Sequence, residues 1–96
     1  MTRATRLAPI VIATLALSTL SAQAACFVDY KAKRDDPLQL HYGVIQLSDS
    51  ECADPQAAVA ARIAQDGWTL LTVMGQLDRD EAQERQDDAG AYFLRY

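Results

Sequence analysis

Near its start the chain has a long apolar run, with basic residues before it and small residues after it. Arg3 and Arg6 stand before the run, residues 7–20 are apolar apart from a proline and three hydroxyl side chains, and an Ala-Gln-Ala triplet ends at Ala24. This order is typical of a secretory signal peptide. The run is shorter than the ~20 residues that span a bilayer as a helix. We therefore expect a signal peptide at residues 1–24, membrane contact only through that segment before cleavage, and a single domain at residues 25–96.

In two stretches after this leader, successive side chains alternate between two faces with the two-residue period of a half-buried strand. They are residues 27–33 and residues 38–47. Residues 34–37 between them combine two aspartates, which can bond their own backbone, with a proline that fixes φ. The pattern predicts a β-hairpin.

A helix and a third strand are predicted in the middle of the chain. Asp54 is a favourable N-cap and Pro55 suits the first helical position. Residues 56–66 are rich in alanine, and Gly67 can adopt the left-handed conformation that ends a helix. Residues 68–76 carry apolar side chains on both faces, which predicts a central strand with its tryptophan buried between helix and sheet.

The last third of the chain is acidic first and aromatic afterwards. Residues 77–90 predict a polar connection with weak helical spacing at 79–86, and residues 91–96 predict a final strand. The order is β-β-α-β-β. We therefore expect an α+β domain in which one helix packs on one face of a small antiparallel sheet, preceded by a signal-peptide helix.

Charge narrows the classes of partner. The whole chain has a net charge of −4, and cleavage after Ala24 would leave seven basic and thirteen acidic residues, a net charge of −6. An acidic surface repels phosphate backbones and anionic lipids, so no nucleic-acid partner is expected. The acidic residues at 78–88 lack the alternating ligands and central glycine of a calcium loop.

Cys26 and Cys52 are the only cysteines, and both follow the leader. In an oxidising compartment such a pair predicts a disulfide, and closing a loop of about 26 residues stabilises a fold by ~3.5 kcal/mol on the chain-entropy model. A redox-active pair is an alternative, although the usual two-residue spacing is absent. Lipid attachment at Cys26 is another, for which Ala24 and Ala25 fit while Gln23 replaces the usual leucine.

Four stretches follow the pattern of strand, alanine-rich helix, Gly-Trp-x-Leu strand and aromatic-basic strand. They are residues 40–47, 57–66, 67–71 and 92–95. This pattern resembles a family of small uncharacterised α+β domains, although Thr69 stands where that family usually has Glu. Residues 29–44 also resemble short exported proteins of Gram-negative bacteria that have no assigned activity. The resemblance implies the fold and carries no catalytic residue.

His41, the only histidine, is the first candidate for chemistry because the ordinary pKa of a histidine side chain lies near neutral pH. We expect Tyr42, Asp29 and Lys31 beside it as a polar cluster on one sheet face. A second histidine for a zinc site and a serine in a nucleophile elbow are both absent from the sequence. We therefore assign no catalytic residue, no metal ligand and no cofactor.

A second candidate is the mixed-charge hairpin tip, which is either a solvated turn with weak ion pairs or a docking tip for an acidic partner. The candidate binding surface combines this tip with nearby strand residues. Its members are His41, Tyr42, Lys31, Lys33, Arg34 and Tyr92.

The sequence as a whole favours a non-enzymatic, exported periplasmic domain held by one disulfide. Such a domain would bind a protein or a small ligand on the sheet face that the helix leaves open. Two alternatives stay open. One is an envelope accessory protein that carries a lipid on Cys26, and the other is a small enzyme that uses His41 with a carboxylate.

Overall fold

The computed structural model describes residues 26–96, so the predicted signal peptide lies outside the described residues. The architecture is a small α+β domain, as the sequence predicts. Three strands form one antiparallel sheet in the order β2-β1-β3, namely β1 (Cys26–Arg34), β2 (Gln39–Leu47) and β3 (Thr69–Leu77). Three helices accompany it, namely α1 (Pro55–Ala64), α2 (Arg79–Glu84) and α3 (Gln86–Ala89).

The predicted hairpin is confirmed. β1 and β2 pair without interruption from Cys26 opposite Leu47 to Arg34 opposite Gln39. Asp36 in the connecting turn has a φ of 63°, in the left-handed region that aspartate tolerates better than most residues. The regular register means that the alternation in the sequence translates directly into two faces of the hairpin.

Helix α1 begins where its capping residues predict. The Asp54 carboxylate accepts a hydrogen bond from the Ala57 N–H, and the proline after it begins the helix. Val59 and Ile63, four residues apart, are buried against the sheet. The helix ends at Ala64, two residues earlier than predicted, before Gly67 turns the chain with a φ of 81°.

β3 is an edge strand, and the prediction that it lies centrally is wrong. Two register shifts against β1 leave Leu71 and Met74 without a partner on that strand. These bulges bring Leu70 and Val73, three residues apart, onto the α1 side of the sheet. Leu71 and Met74 are consequently 52% exposed each. The apolar residues on both sides of the strand thus reflect bulges and not double-sided burial.

The prediction of a final strand at residues 91–96 is also wrong. The chain forms a short 3₁₀ turn at Gly90–Tyr92 and then makes a single parallel bridge between Phe93 and Val44 of β2. The Leu94 N–H donates to the Val44 carbonyl over 2.8 Å, and Leu94 itself has a φ of 55°, which ends the extended run. This segment covers part of the free edge of β2.

The sheet has helices on both faces, whereas the sequence predicts one helix on one face. α2 and α3 form from the acidic segment, and the first begins at a capping box in which Asp78 and Glu81 each accept from the other's backbone N–H. They build a second small core on the face opposite α1. Its buried members are Phe27, Val44, Ala82 and Ala89.

The main core lies between the sheet and α1, and the predicted disulfide closes one end of it. Cys26 at the start of β1 is bonded to Cys52, which lies in the 3₁₀ turn Glu51–Ala53. Trp68 is 4% exposed within this core, which confirms its predicted position between helix and sheet. Within residues 26–96, no helix has the length and apolar character that crossing a membrane requires.

Candidate functional site

The six residues of the predicted binding surface are divided between the two sides of the sheet, although Lys31, His41 and Tyr42 line one concavity. His41 and Tyr42 are neighbours on β2 and therefore point to opposite faces of the sheet. On the α1 side lie His41, Arg34 and Tyr92, and on the other side lie Tyr42, Lys31 and Lys33. The expected polar cluster around His41 is accordingly wrong, because Asp29 and Lys31 share the face of Tyr42.

An aromatic cluster surrounds His41 on the α1 side; it consists of Tyr30, His41, Trp68, Tyr92 and Tyr96. The imidazole stacks on Tyr92 with ring centroids 3.7 Å apart and meets Trp68 edge-on at 4.2 Å. Its Nε2 lies 2.9 Å from the Tyr30 hydroxyl. His41 is thus held on three sides by other rings.

This environment keeps His41 neutral. Burial, together with the positive charges of Arg34 and Arg95, lowers the pKa of His41 to about 4. Its Nδ1 is buried without a hydrogen-bond partner, as is the indole Nε1 of Trp68. Among residues 26–96, His41 forms no hydrogen bond with a carboxylate.

Arg34 and Tyr96 complete the edge of the aromatic cluster. The Arg34 guanidinium lies 4.2 Å from the centroid of Trp68 and donates to the Asp66 carbonyl over 2.9 Å. The Tyr96 hydroxyl donates to the Asp66 carboxylate over 2.7 Å, and this bond lowers the pKa of Asp66. Arg34, which the sequence places in a binding surface, therefore contacts residues of its own domain.

The other face of the sheet is covered only in part. α2 and α3 pack over the end that carries Phe27 and Val44 and leave the hairpin end open. We name the open end the uncovered patch; its members are Lys31, Lys33, Leu40, Tyr42 and Leu71. Leu40, on β2, is 66% exposed there, and Leu71 lies on β3, on the other side of the central strand β1. A concavity of about 300 Å³ lies between them, and Ala32 and His41 also line it.

Beneath the uncovered patch, Tyr42 and Asp29 form a hydrogen-bonded pair. The Tyr42 hydroxyl donates to the Asp29 carboxylate over 2.9 Å, and Asp29 is 5% exposed. Burial and this bond raise the pKa of Tyr42 to about 12. The buried carboxylate thus has an internal partner, and the aromatic ring has a fixed position at the boundary between open and covered sheet.

The two lysines of the uncovered patch differ in their partners. The Lys33 Nζ lies 3.3 Å from a carboxylate oxygen of Asp35 in the hairpin turn. Lys31, in the central strand, is exposed and makes no ion pair within residues 26–96. The uncovered patch therefore presents one cation that no acidic side chain of this domain neutralises.

A wider groove of about 640 Å³ runs between α1 and β3. Alanine side chains of α1 form one wall, and the acidic residue in its lining, Asp54, already caps that helix. Within residues 26–96, no three His, Cys, Asp or Glu side chains lie close enough together to hold a metal ion.

The two leucines of the uncovered patch are not among the binding residues that the sequence predicts. Leu40 carried a usable signal, because it alternates with Tyr42 on a strand of regular register. Leu71 carried none, because its exposure follows from a bulge that only the pairing with β1 reveals.

No family model, curated protein or solved structure matches this chain.

Proposed function

We propose that this chain is an exported, non-enzymatic domain that binds a small ligand or a partner protein at the uncovered patch. The observation that carries the proposal is the pair of exposed leucines, Leu40 and Leu71, which line one concavity with the unpaired Lys31. An apolar surface with a few convergent polar groups is the usual composition of a binding site.

The uncovered patch stands on a rigid support, which favours binding because little ordering is needed when a ligand arrives. Its residues lie on three paired strands, and Tyr42 is fixed by the bond to Asp29. The disulfide between Cys26 and Cys52 restrains the far end of β1, the central strand.

The state of His41 supports a role without catalysis. A general base works best when its pKa lies near the working pH, and the pKa of His41 is about 4. Its ring stacks on Tyr92 and meets Trp68 edge-on, and its Nε2 faces the Tyr30 hydroxyl. A stacked, neutral imidazole of this kind is typical of a packing residue.

Export is proposed from the leader at residues 1–24 together with the cysteine pair. The alternative of a lipid anchor requires a free Cys26 thiol, and the sulfur of Cys26 is bonded to Cys52. We therefore favour a protein released into the periplasm over one attached to the envelope.

Binding at the uncovered patch is tested by capture from periplasmic extract with the immobilised domain as bait. We expect Leu40→Lys combined with Leu71→Lys to lose the ligand or protein that the unaltered bait retains. Leu38→Lys is the matched control, because Leu38 is 65% exposed and lies outside the concavity. A ligand retained equally by both variants would show that binding occurs elsewhere.

Export is tested by intact-mass measurement of the protein from fractionated cells. The expected species lacks residues 1–24, carries no acyl chain and contains one disulfide. A full-length or acylated species in the membrane fraction would reject the proposal of a released protein while leaving the binding experiment unaffected.

A further inference from the structure

We infer that the ligand of the uncovered patch is a small amphipathic carboxylate, with an apolar chain between Leu40 and Leu71 and its anionic group on Lys31. This inference rests on the proposed function, because it specifies the chemistry of the same site.

The width of the concavity sets the size of the apolar part. Leu40 and Leu71 lie on the two strands that flank β1, so that the walls stand two strand spacings apart, about 10 Å. That separation admits one hydrocarbon chain lying over the central strand. The volume of about 300 Å³ lies at the small end of the range for ligand pockets. Both observations fit a single short alkyl chain better than a folded protein segment.

The positive charge of Lys31 determines the polar part of the ligand. Lys31 lines the concavity together with the two leucines and is exposed, so its methylene stem adds apolar surface while its ammonium group stays in contact with solvent. The carboxylate nearest to it along the same face of β1 belongs to Asp29, which is buried and bonded to Tyr42. An anionic group on the ligand would therefore give Lys31 the partner that the domain does not supply.

The surrounding acidic surface sharpens this preference. The neighbouring helices α2 and α3 carry Asp80, Glu81, Glu84, Asp87 and Asp88, and the described chain is acidic overall. A large polyanion would be repelled by these charges, whereas one carboxylate at the lysine end avoids them.

The test compares octanoate with 1-octanol, which has the same chain length and no charge, by two-dimensional NMR titration of the folded domain. We expect octanoate to shift the resonances of the uncovered patch and to bind more tightly than 1-octanol. Lys31→Met should weaken octanoate binding about fivefold, the equivalent of about 1 kcal/mol for an exposed ion pair, and leave 1-octanol binding unchanged.

Arg79→Met is the matched control and should leave octanoate binding unchanged, because Arg79 is an exposed cation on α2 and lies outside the uncovered patch. Equal affinity for octanoate and 1-octanol, lost together in Leu40→Lys, would overturn the carboxylate inference and leave the binding site of the proposed function intact. If neither compound shifts the resonances of the uncovered patch, the inference is overturned and a small apolar ligand at that site is rejected. The capture experiment then decides whether the uncovered patch binds a partner protein.

Discussion

The ring of Tyr30 lies across Gly43, its partner on the neighbouring strand, so closely that a Cβ on Gly43 would sit 2.5 Å from the Tyr30 hydroxyl oxygen. Tyr30 is fully buried, and in this position its hydroxyl meets Nε2 of His41. The missing side chain at Gly43 is therefore what admits the central ring of the aromatic cluster.

Gly43→Ala should lower the free energy of unfolding by about 1–3 kcal/mol, the range for overpacking a filled core. The buried ring cannot move away without displacing its neighbours in the cluster. Gly75→Ala is the control, because no atom lies within 4 Å of a Cβ built there, and its effect should stay below about 1 kcal/mol. Urea denaturation measures both values, and equal losses in the two variants would contradict this account of Gly43.

His41 should make the fold weaker in mild acid. Its pKa is about 4 in the folded state and near 6.5 in the unfolded chain, so the unfolded chain binds a proton first as the pH falls. The contribution of neutral His41 to the free energy of unfolding is fully present above pH 6.5. It is lost progressively between pH 6.5 and pH 4, with a slope of up to about 1.4 kcal/mol per pH unit.

His41→Gln should remove this slope, because an amide does not titrate. Urea denaturation at pH 7, 5.5 and 4 checks the expectation, and NMR titration of the only imidazole in the sequence gives its pKa directly. An imidazole that titrates near pH 6.5 in the folded protein would refute it.

Glu51 and Arg62 should contribute stability in a different pH window. The carboxylate of Glu51 accepts two hydrogen bonds from the guanidinium, over 2.7 and 2.9 Å, and these bonds lower the pKa of Glu51 to about 2. A lowered carboxylate pKa stabilises the fold above the unfolded value of about 4.5, and the contribution is lost as the pH falls toward 2.

Glu51→Gln should therefore cost about 1 kcal/mol at pH 7 and close to nothing at pH 2, since both side chains are partly exposed. Glu84→Gln, at an exposed position on α2, serves as the control and should change stability little at either pH. A loss that persists unchanged at pH 2 would show that Glu51 acts by packing and not by charge.

The disulfide should stabilise the domain mainly by restricting the unfolded chain. Replacing Cys26 and Cys52 together with Ser should lower the free energy of unfolding by up to ~3.5 kcal/mol, the value for a loop of 26 residues, without changing the secondary structure. Denaturation curves and far-UV circular dichroism measure the two effects. Reduction of the unaltered protein should give a similar loss, and two freely alkylated thiols in protein from the periplasm would contradict the expectation.

Local chemistry explains the predictions that the structure confirms. The turn residues and two-residue alternation of the hairpin act over neighbouring positions. So do the Asp54 cap at the start of α1 and the left-handed Gly67 just after its end. The Cys26–Cys52 pairing was also determined, because two cysteines allow one intramolecular bond.

The position of each strand in the sheet was decided by tertiary structure. β1 became the central strand because β2 and β3 both pair with it, and no local pattern states which edges meet. The C-terminal segment makes one bridge to β2 where a full strand was expected, since Leu94 leaves the extended region.

Within the uncovered patch, the sequence by itself places one of the two leucines, and only the tertiary structure places the other. Alternation along β2 by itself places Leu40 and Tyr42 on one face and His41 on the other, because the side-chain period of a paired strand is two. The exposure of Leu71 required the tertiary structure. A bulge adds a residue to one strand of a pair, so the face of every later side chain depends on the partner strand and cannot be read from β3 alone.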